Sequence, residues 1–328
     1  MFAARTALRS LTLNGARRYS SATPASKSSS NLPFYLLGAG VAAAGGYYYV
    51  NFSEKAKPVV QQLKSPLDPE NFVDFKLKRV EPYNDNTAKF VFELPNNEAS
   101  LLPVASCLVV KSSDPNALVN DQGKPIIRPY TPISPPDLPG ELTLMVKKYD
   151  TGNASKYIHS LKEGDSLAIK GPIPKWPYKM DAVNEFDEVA LIGGGSGVTP
   201  LYQILTHALA DKSNKTKFTL LFGNIAEKDI LLREEFDALK KQFPDKFDVV
   251  YFLDKPEANW KGAKGFIGKD ALTNYVAPPT LGEKVKVFVC GPPGQVAALA
   301  GKKAGMKQGE LGGILKELGY TEDQVYKF

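Results

Sequence analysis

A cluster of glycine residues that directly follows an apolar segment constrains the fold more than any other feature of the sequence. Residues 189–200 read VALIGGGSGVTP, so a short β-strand leads into a glycine-rich turn and then into the start of a helix. Thr199 and Pro200 are residue types that favour the first positions of a helix. Because free amide groups at a helix start attract anions, the segment predicts a phosphate-binding turn. The alternative is a tight turn without a ligand, since Pro200 occupies the third glycine position of the pattern G-x-G-x-x-G.

The segments around this turn alternate between strand-like and helix-like patterns. Short apolar runs occur at residues 188–192, 218–222, 248–253 and 286–290, and helical patterns occur at residues 201–212 and 231–242. This alternation predicts an α/β domain with a parallel sheet flanked by helices, which we place at residues 184–328. The fourth run leads into residues 287–294, VFVCGPPG, and the ligand sites of parallel sheets open at such strand ends. Cys290 is by default a small buried residue there, or it lines a site where a planar ring reacts.

The preceding part of the chain has a different pattern. Strand-like runs separated by turn residues occur at residues 75–80, 89–94, 107–111, 141–149 and 166–170. Short strands joined by turns predict a small antiparallel β-barrel, which we place at residues 71–178. Prolines and polar residues interrupt both patterns near residues 175–187, so we expect the domain join there.

A second motif, RPYTPIS at residues 128–134, lies at the end of a predicted barrel strand. The planar guanidinium of Arg128 can pair with phosphate oxygens, and the ring of Tyr130 offers a flat face to a ring system. The hydroxyl of Thr131 can form a hydrogen bond with a ring nitrogen. The alternative is a proline-rich turn with an exposed arginine.

The N-terminal region resembles a targeting signal followed by a membrane segment. Residues 1–31 contain five basic residues and no acidic one, and we predict a mitochondrial presequence at residues 1–20. Residues 32–50 carry no charge and have the length of one membrane span, while residues 51–70 have the polar, proline-containing composition of a linker. The alternatives are a disordered basic tail at the N-terminus, and a cleavable sorting segment or a buried soluble helix at residues 32–50.

Charge and residue usage argue against several classes of protein. The net charge of the 328-residue chain is +6, but the N-terminal region supplies most of it, so we expect no nucleic-acid partner. The two cysteines, Cys107 and Cys290, are too few for a disulfide framework or a zinc site. His159 and His207 share no spacing with other ligand residues, so we predict no metal.

The order of the motifs resembles a known family. RPYTPIS is followed by G-x-x-S at residues 152–155, then by GGGSGVTP and VCGPPG, and the last residue is Phe328. In this order they resemble the NADH-cytochrome b5 reductases, within the ferredoxin-reductase-like superfamily, and specifically their mitochondrial, membrane-anchored form. The resemblance covers about residues 70–328. It implies an antiparallel β-barrel domain that binds FAD, followed by an α/β parallel-sheet domain that binds NADH, with the flavin between the two domains.

The resemblance also implies roles for residues of the barrel domain. Arg128 would hold the FAD pyrophosphate next to Pro129, Tyr130 would pack against the flavin, and Thr131 would lie near the reactive flavin nitrogen. Lys147 and Tyr149 match further positions at the flavin and the nicotinamide. The FAD phosphates would be bound by backbone groups of the G-x-x-S segment, which consists of Gly152, Asn153, Ala154 and Ser155.

In the second domain, the resemblance implies that the glycine turn faces the NADH pyrophosphate through Gly194, Gly195, Ser196 and Gly197. Thr199 would reach toward the flavin, and Phe328 would also belong to the cofactor site. The nicotinamide would be bordered by Cys290, Gly291, Pro292 and Pro293. Glu227 and Asp229 could repel the 2′-phosphate of NADPH and so favour NADH, although Lys228 and Arg233 oppose this. The catalytic residues implied are Thr131, Lys147 and Cys290.

Two positions depart from the family pattern. Ala105, Ser106 and Cys107 replace a glycine, a polar residue and an aromatic residue, so a flavin contact is in doubt there. Residues 84–87 lack the histidine that some relatives carry, so we transfer no proton-relay role to them.

The function that the resemblance implies is hydride transfer from NADH to FAD, then transfer of single electrons to cytochrome b5 or a similar haem protein. Two alternatives are a quinone or an iron-sulfur protein as acceptor, and a membrane-anchored binding module without catalysis. We expect a monomer held by a single span at the mitochondrial outer membrane or in the intermembrane space. Lysines near the predicted flavin edge could attract an acidic partner, and they include Lys147, Lys148, Lys156 and Lys162.

Overall fold

The computed structural model of the chain describes residues 64–176 and 185–328. The predicted presequence, the predicted membrane segment at residues 32–50 and most of the predicted linker lie outside these residues. Most of the predicted domain join also lies outside them. No helix within the described ranges is long and apolar enough to cross a membrane.

The first domain is a six-stranded antiparallel sheet. Its strands are β1 (Val73–Asn84), β2 (Thr87–Glu93), β3 (Ser106–Ser112), β4 (Arg128–Tyr130), β5 (Glu141–Lys147) and β6 (Ser166–Pro174), in the spatial order β4-β3-β6-β1-β2-β5. One helix, α1 (Asn153–Ser160), follows β5. The five predicted runs each match one of these strands, and the antiparallel arrangement is confirmed.

Large apolar side chains fill the inside of this curled sheet. Phe90 and Phe92 on β2 are completely buried together with Leu142 and Leu144 on β5, because alternate residues of paired strands point to the same face. The amide of Ile133, just beyond β4, donates a hydrogen bond of 2.9 Å to the carbonyl of Thr143 on β5. This bond joins the two edges of the sheet as in a barrel.

The second domain is a six-stranded parallel sheet. Its strands are β7 (Glu188–Gly194), β8 (Lys217–Asn224), β9 (Phe247–Leu253), β10 (Ala263–Lys264), β11 (Val285–Cys290) and β12 (Val325–Lys327), in the spatial order β10-β9-β8-β7-β11-β12. The helices are α2 (Val198–Ala210), α3 (Arg233–Gln242), α4 (Lys269–Tyr275), α5 (Pro293–Ala300) and α6 (Gly313–Glu317). The predicted parallel sheet is confirmed.

The central strand β7 is apolar on both faces because helices cover both sides of the sheet. Leu191 packs in the cluster that contains α2, whereas the adjacent Ile192 packs in the cluster that contains α5. The strands that follow β7 in the sequence, β8 and β9, lie on one side of it in the sheet. The later strand β11 pairs with the other side of β7. Loops therefore diverge at the carboxyl ends of β7 and β11, and ligands of α/β sheets bind in such a crevice.

The two domains contact each other directly. At the hairpin between β1 and β2, the hydroxyl of Tyr83 donates to the carbonyl of Ile230 at 3.2 Å, and the amide side chain of Asn84 donates to the carbonyl of Lys228 at 2.8 Å. On the opposite side, the ring of Trp176 packs edge-on against Phe288. Residues 62–328 form one compact unit.

Candidate functional site

A cavity of about 720 Å³ lies between the two sheets. This volume is within the usual range for sites that bind small molecules and cofactors. The barrel contributes the RPYTPIS turn and the G-x-x-S segment, and the parallel sheet contributes the glycine turn and the loop after β11. The two motifs that the sequence marks as phosphate-binding therefore face one shared space.

The structure brings almost all of the predicted cofactor residues to this cavity. From the barrel domain these are Arg128, Pro129, Tyr130, Thr131, Lys147, Tyr149, Gly152, Asn153, Ala154 and Ser155. From the second domain they are Gly194, Ser196, Gly197, Thr199, Cys290, Gly291, Pro292, Pro293 and Phe328. Gly195 and Asp229 are not among the residues that line it.

The arginine turn presents three different groups to the cavity. Arg128 is exposed, and its Nη1 donates a hydrogen bond of 2.9 Å to the carbonyl of Ile127. Burial raises the pKa of Tyr130 to about 12, so its phenol is neutral at physiological pH. Thr131 is only 8% exposed, which fixes the place of its hydroxyl. The turn thus combines one cation, one flat ring and one neutral donor.

The G-x-x-S segment is shaped by hydrogen bonds of its own serine. The hydroxyl of Ser155 donates to the carbonyl of Gly152 at 2.9 Å and accepts from the amide of Tyr149 at 3.1 Å. A Cβ atom at Gly152 would lie 2.6 Å from this hydroxyl oxygen, so a side chain there would displace the hydroxyl of Ser155. The amides at the start of α1 are thereby held at the cavity wall.

The glycine turn packs backbone to backbone against the loop that follows β11. A Cβ atom at Gly197 would lie 2.6 Å from the carbonyl oxygen of Cys290 and 2.7 Å from the Cα of Gly291. At Gly194 it would lie 1.9 Å from Oε1 of Gln295. A side chain at Gly197 would force the two loops apart, whereas one at Gly194 would first displace the end of the Gln295 side chain. The hydroxyl of Thr199 donates to the carbonyl of Ser196 at 3.3 Å, within the same turn.

Two polar contacts join the domains at the cavity. The hydroxyl groups of Tyr149 and Ser196 share a hydrogen bond of 2.8 Å, and the Tyr149 side chain is otherwise well exposed. The ammonium group of Lys147 forms an ion pair of 2.8 Å with Asp229, and both side chains are only 10% exposed. The first contact is at the surface and the second is buried.

The ion pair of Lys147 concerns one of the two carboxylates that were predicted to repel a 2′-phosphate. One carboxylate oxygen of Asp229 accepts from Lys147, and the other accepts from the amide of Ala226 at 3.2 Å. Glu227 pairs with Arg233 at 2.5 Å. Both carboxylates therefore have a partner within the protein, and their proposed effect on a 2′-phosphate stays a prediction. Lys147, which is buried, is not part of a solvent-exposed lysine cluster.

Comparison with known proteins agrees with this geometry. The family model of the oxidoreductase FAD-binding domain matches residues 74–178, and that of the oxidoreductase NAD-binding domain matches residues 191–300. NADH-cytochrome b5 reductase 2 of Mycosarcoma maydis is 44% identical over 343 residues, which cover 99% of this chain and 96% of the relative. The same-named protein of Coccidioides immitis is 43% identical over 320 residues, which cover 95% of each.

The chain belongs to the NADH-cytochrome b5 reductase family. Solved structures share the fold of these reductases with it. The cytochrome b5 reductase domain of Ulva prolifera nitrate reductase has a TM-score of 0.68 at 24% identity and covers 81% of this chain and 100% of that chain. The CS-b5R domains of human Ncb5or have a TM-score of 0.61 at 24% identity and cover 78% of this chain and 69% of that chain.

The thiols at the cavity of this cytochrome b5 reductase family member are free and uncharged. Cys290 is partly open to the cavity, but the dense protein around it raises the pKa of its thiol to about 12. Burial also raises the pKa of Cys107. Neither thiol is therefore a ready nucleophile. No cluster of potential metal ligands occurs in residues 64–176 and 185–328.

Sequence reasoning missed several residues that line the cavity of this reductase. They are Ser106, Cys107, Met145, Thr151, Pro200, Lys175, Lys303 and Met306. Ser106 and Cys107 belong to the position where a contact was in doubt, and both line the cavity. Ala105 retains the left-handed backbone expected of the glycine it replaces, with φ of 56°. Lys175 and Lys303 lie in loops without a motif, so local sequence could not have indicated them.

Proposed function

We propose that this chain transfers electrons from NADH through FAD to cytochrome b5. The observation that carries the proposal is the shared cavity, because the arginine turn of one domain and the glycine turn of the other face the same space. Two flat redox groups must come into close register for a hydride to pass between them. A cavity between the two binding domains is the place where this can happen.

The residues present fit the two cofactors. Gly194 and Gly197 let the turn pack closely against Gln295 and the loop after β11, and the turn lines the cavity where its backbone amides can approach a pyrophosphate. At the carboxyl end of β8, both polar side-chain atoms of Asn224 are buried without a hydrogen-bond partner in the described part of the chain. Buried polar groups normally have partners, so this edge of the sheet fits a ligand that supplies them.

The chemistry that bound FAD supplies is acceptance of a hydride and release of electrons one at a time. Arg128 would hold the FAD pyrophosphate by a charge-assisted hydrogen bond, and the start of α1 would provide amides to the same phosphates. Thr131, being buried and neutral, would orient the flavin ring through its hydroxyl. Cys290 would shape the nicotinamide pocket by packing, because its thiol is not ionised. Phe328, which lines the cavity, would cover a ring face.

The proposed location follows from the N-terminal sequence. We place a mitochondrial presequence at residues 1–20 and a single membrane anchor at residues 32–50, with the protein at the outer membrane or in the intermembrane space. Cell fractionation with protease protection tests the location. Light scattering tests the expected monomer.

An assay with the purified chain tests the function. The protein should show flavin absorption bands, and NADH should bleach them without oxygen, more efficiently than NADPH does. Cytochrome b5 should then restore the bands faster than a quinone or an iron-sulfur protein does. A colourless protein would contradict the proposal and favour a binding module, whereas faster reoxidation by a quinone would assign another acceptor.

A further inference from the structure

The lining of the cavity includes two lysines, Lys175 and Lys303, that no carboxylate in the described residues neutralises. Lys175 follows β6 in the barrel domain, and Lys303 lies in the loop after α5 in the other domain. Both line the cavity and are partly buried. Within residues 64–176 and 185–328, no carboxylate lies within ion-pair distance of either ammonium group. Two cations on opposite sides of an interface, without a counter-ion, form a positively charged region that suits an anion.

The loop that carries Lys303, residues 301–309, is held in a defined shape. Ala304 and Lys307 exchange backbone hydrogen bonds of 3.1 and 3.2 Å, which makes the loop a tight hairpin. Gly309 has a φ of 65°, and a Cβ atom there would lie 2.6 Å from the carbonyl oxygen of Lys302. The two sides of the loop are therefore in direct backbone contact.

The base of the loop is fixed to β12 through Lys327. The buried ammonium group of Lys327 donates to the carbonyls of Ala300, Gly309 and Glu310 at distances of 2.9 to 3.4 Å. The side-chain amide of Gln308 bonds to both the amide and the carbonyl of Lys327, at 2.7 and 2.9 Å. Lys303 is thus presented to the cavity by a supported loop.

Lys175 is held equally well through its backbone. Its amide donates to the carbonyl of Ala105 at 2.9 Å, and its carbonyl accepts from the hydroxyl of Tyr326 in the other domain. The charge of Lys175 also acts on Lys303. Burial and then the positive charge of Lys175 lower the pKa of Lys303, and no carboxylate is among the groups that shift it.

We propose that Lys175 and Lys303 bind the edge of the flavin ring on which negative charge accumulates during reduction, and thereby raise the redox potential of bound FAD. This inference rests on the proposed function. A hydride is one proton with two electrons, so its transfer converts NADH to NAD⁺ and leaves one hydrogen and one net negative charge on the flavin. A cation beside that charge stabilises the reduced form over the oxidised form.

Potentiometric titration of the bound flavin with dithionite and indicator dyes tests the inference without using NADH. Lys303→Met and Lys175→Met remove one charge each and keep a flexible apolar chain of similar length. We expect each to shift the equilibrium about tenfold toward oxidised flavin, which is about 30 mV for a two-electron couple. Lys303→Arg should keep the wild-type potential. Lys302→Met is the matched control, because Lys302 is exposed on the same loop and does not line the cavity.

The other outcomes decide against the inference. An unchanged potential with a tenfold weaker dissociation constant for NADH would assign the lysines to the donor's phosphates. An unchanged potential with unchanged NADH binding would make them structural only, and an equal shift in Lys302→Met would make the effect a general one of surface charge. A wild-type protein that is yellow but not bleached by NADH would instead contradict the proposed function, since the titration does not depend on that step.

Discussion

Lys147 on β5 and Asp229 in the second domain form a buried ion pair across the domain interface, with 2.8 Å between Nζ and Oδ1. Replacing Asp229 by alanine leaves the ammonium group of Lys147 buried without a partner. Loss of one partner from a buried pair costs about 3 to 5 kcal/mol of folding free energy. We therefore expect Asp229→Ala to unfold at much lower urea concentration than the wild type.

Two further variants make this prediction specific. Lys147→Met combined with Asp229→Ala should recover part of the lost stability, because no charge then remains buried. Lys228→Ala breaks the neighbouring exposed pair with Asp85 and should change stability little. A double variant that is less stable than Asp229→Ala alone would contradict the argument.

Substitution of Gly197 by alanine should weaken donor binding. The added Cβ would lie 2.6 Å from the carbonyl oxygen of Cys290, so the glycine turn and the loop after β11 would have to separate. We expect the dissociation constant for NADH to rise at least about tenfold, which corresponds to about 1.4 kcal/mol. Stopped-flow measurement of flavin bleaching against NADH concentration gives this constant. Gly294→Ala is the control, because a Cβ there meets nothing within 4 Å; equal effects of both variants would refute the steric explanation.

Substitution of Arg128 by alanine should weaken FAD binding without unfolding the protein. Arg128 is exposed and its guanidinium lines the cavity, so its removal leaves no buried hole. A hydrogen bond to a charged group contributes about 1.5 to 3 kcal/mol, and we expect FAD affinity to fall by about 10- to 150-fold. Fluorescence titration of the apoprotein with FAD measures this. Lys124→Ala alters an exposed cation four residues away and should leave the affinity unchanged.

The lowered pKa of Lys286 predicts that the free energy of unfolding increases at alkaline pH. Burial lowers the pKa of Lys286 from 10.5 to about 8 in the folded chain, while its ammonium group lies 3.9 Å from the centre of the Trp176 ring. Between about pH 8 and 10.5 Lys286 is thus mostly neutral in the folded chain and still protonated in the unfolded chain. The free energy of unfolding therefore increases with pH over this range. The stability difference between wild type and Lys286→Met should shift in favour of the wild type over this range, as thermal unfolding at several pH values would show. A constant difference would be inconsistent with a lowered pKa.

The strong local patterns predicted most of the fold. The antiparallel first domain and the parallel second domain follow from strand-like runs that the structure reproduces within a few residues. The pattern failed at the short strands β4, β10 and β12, which contain three, two and three residues. Residues 128–130 have the composition of a turn, and they form a strand because β3 supplies pairing partners, Leu108 opposite Tyr130 and Val110 opposite Arg128.

The candidate site was predictable where motifs mark it and not where distant loops meet. The arginine and glycine turns carry their geometry in local sequence, and both face the cavity. The contact of Asp229 with Lys147 could not be predicted because the two residues lie 82 positions apart in the sequence. The loop that carries Lys303 is held in place by hydrogen bonds from Lys327. No local sequence pattern indicates this contact.

The contact between Tyr149 and Ser196 is a weak, exposed hydrogen bond between the two domains at the cavity. One hydrogen bond between two hydroxyl groups contributes about 0.5 to 1.5 kcal/mol, and an exposed side chain rotates within picoseconds to nanoseconds. Rotation of the Tyr149 ring would therefore break this contact between the domains, while the buried pair of Lys147 and Asp229 would still join them.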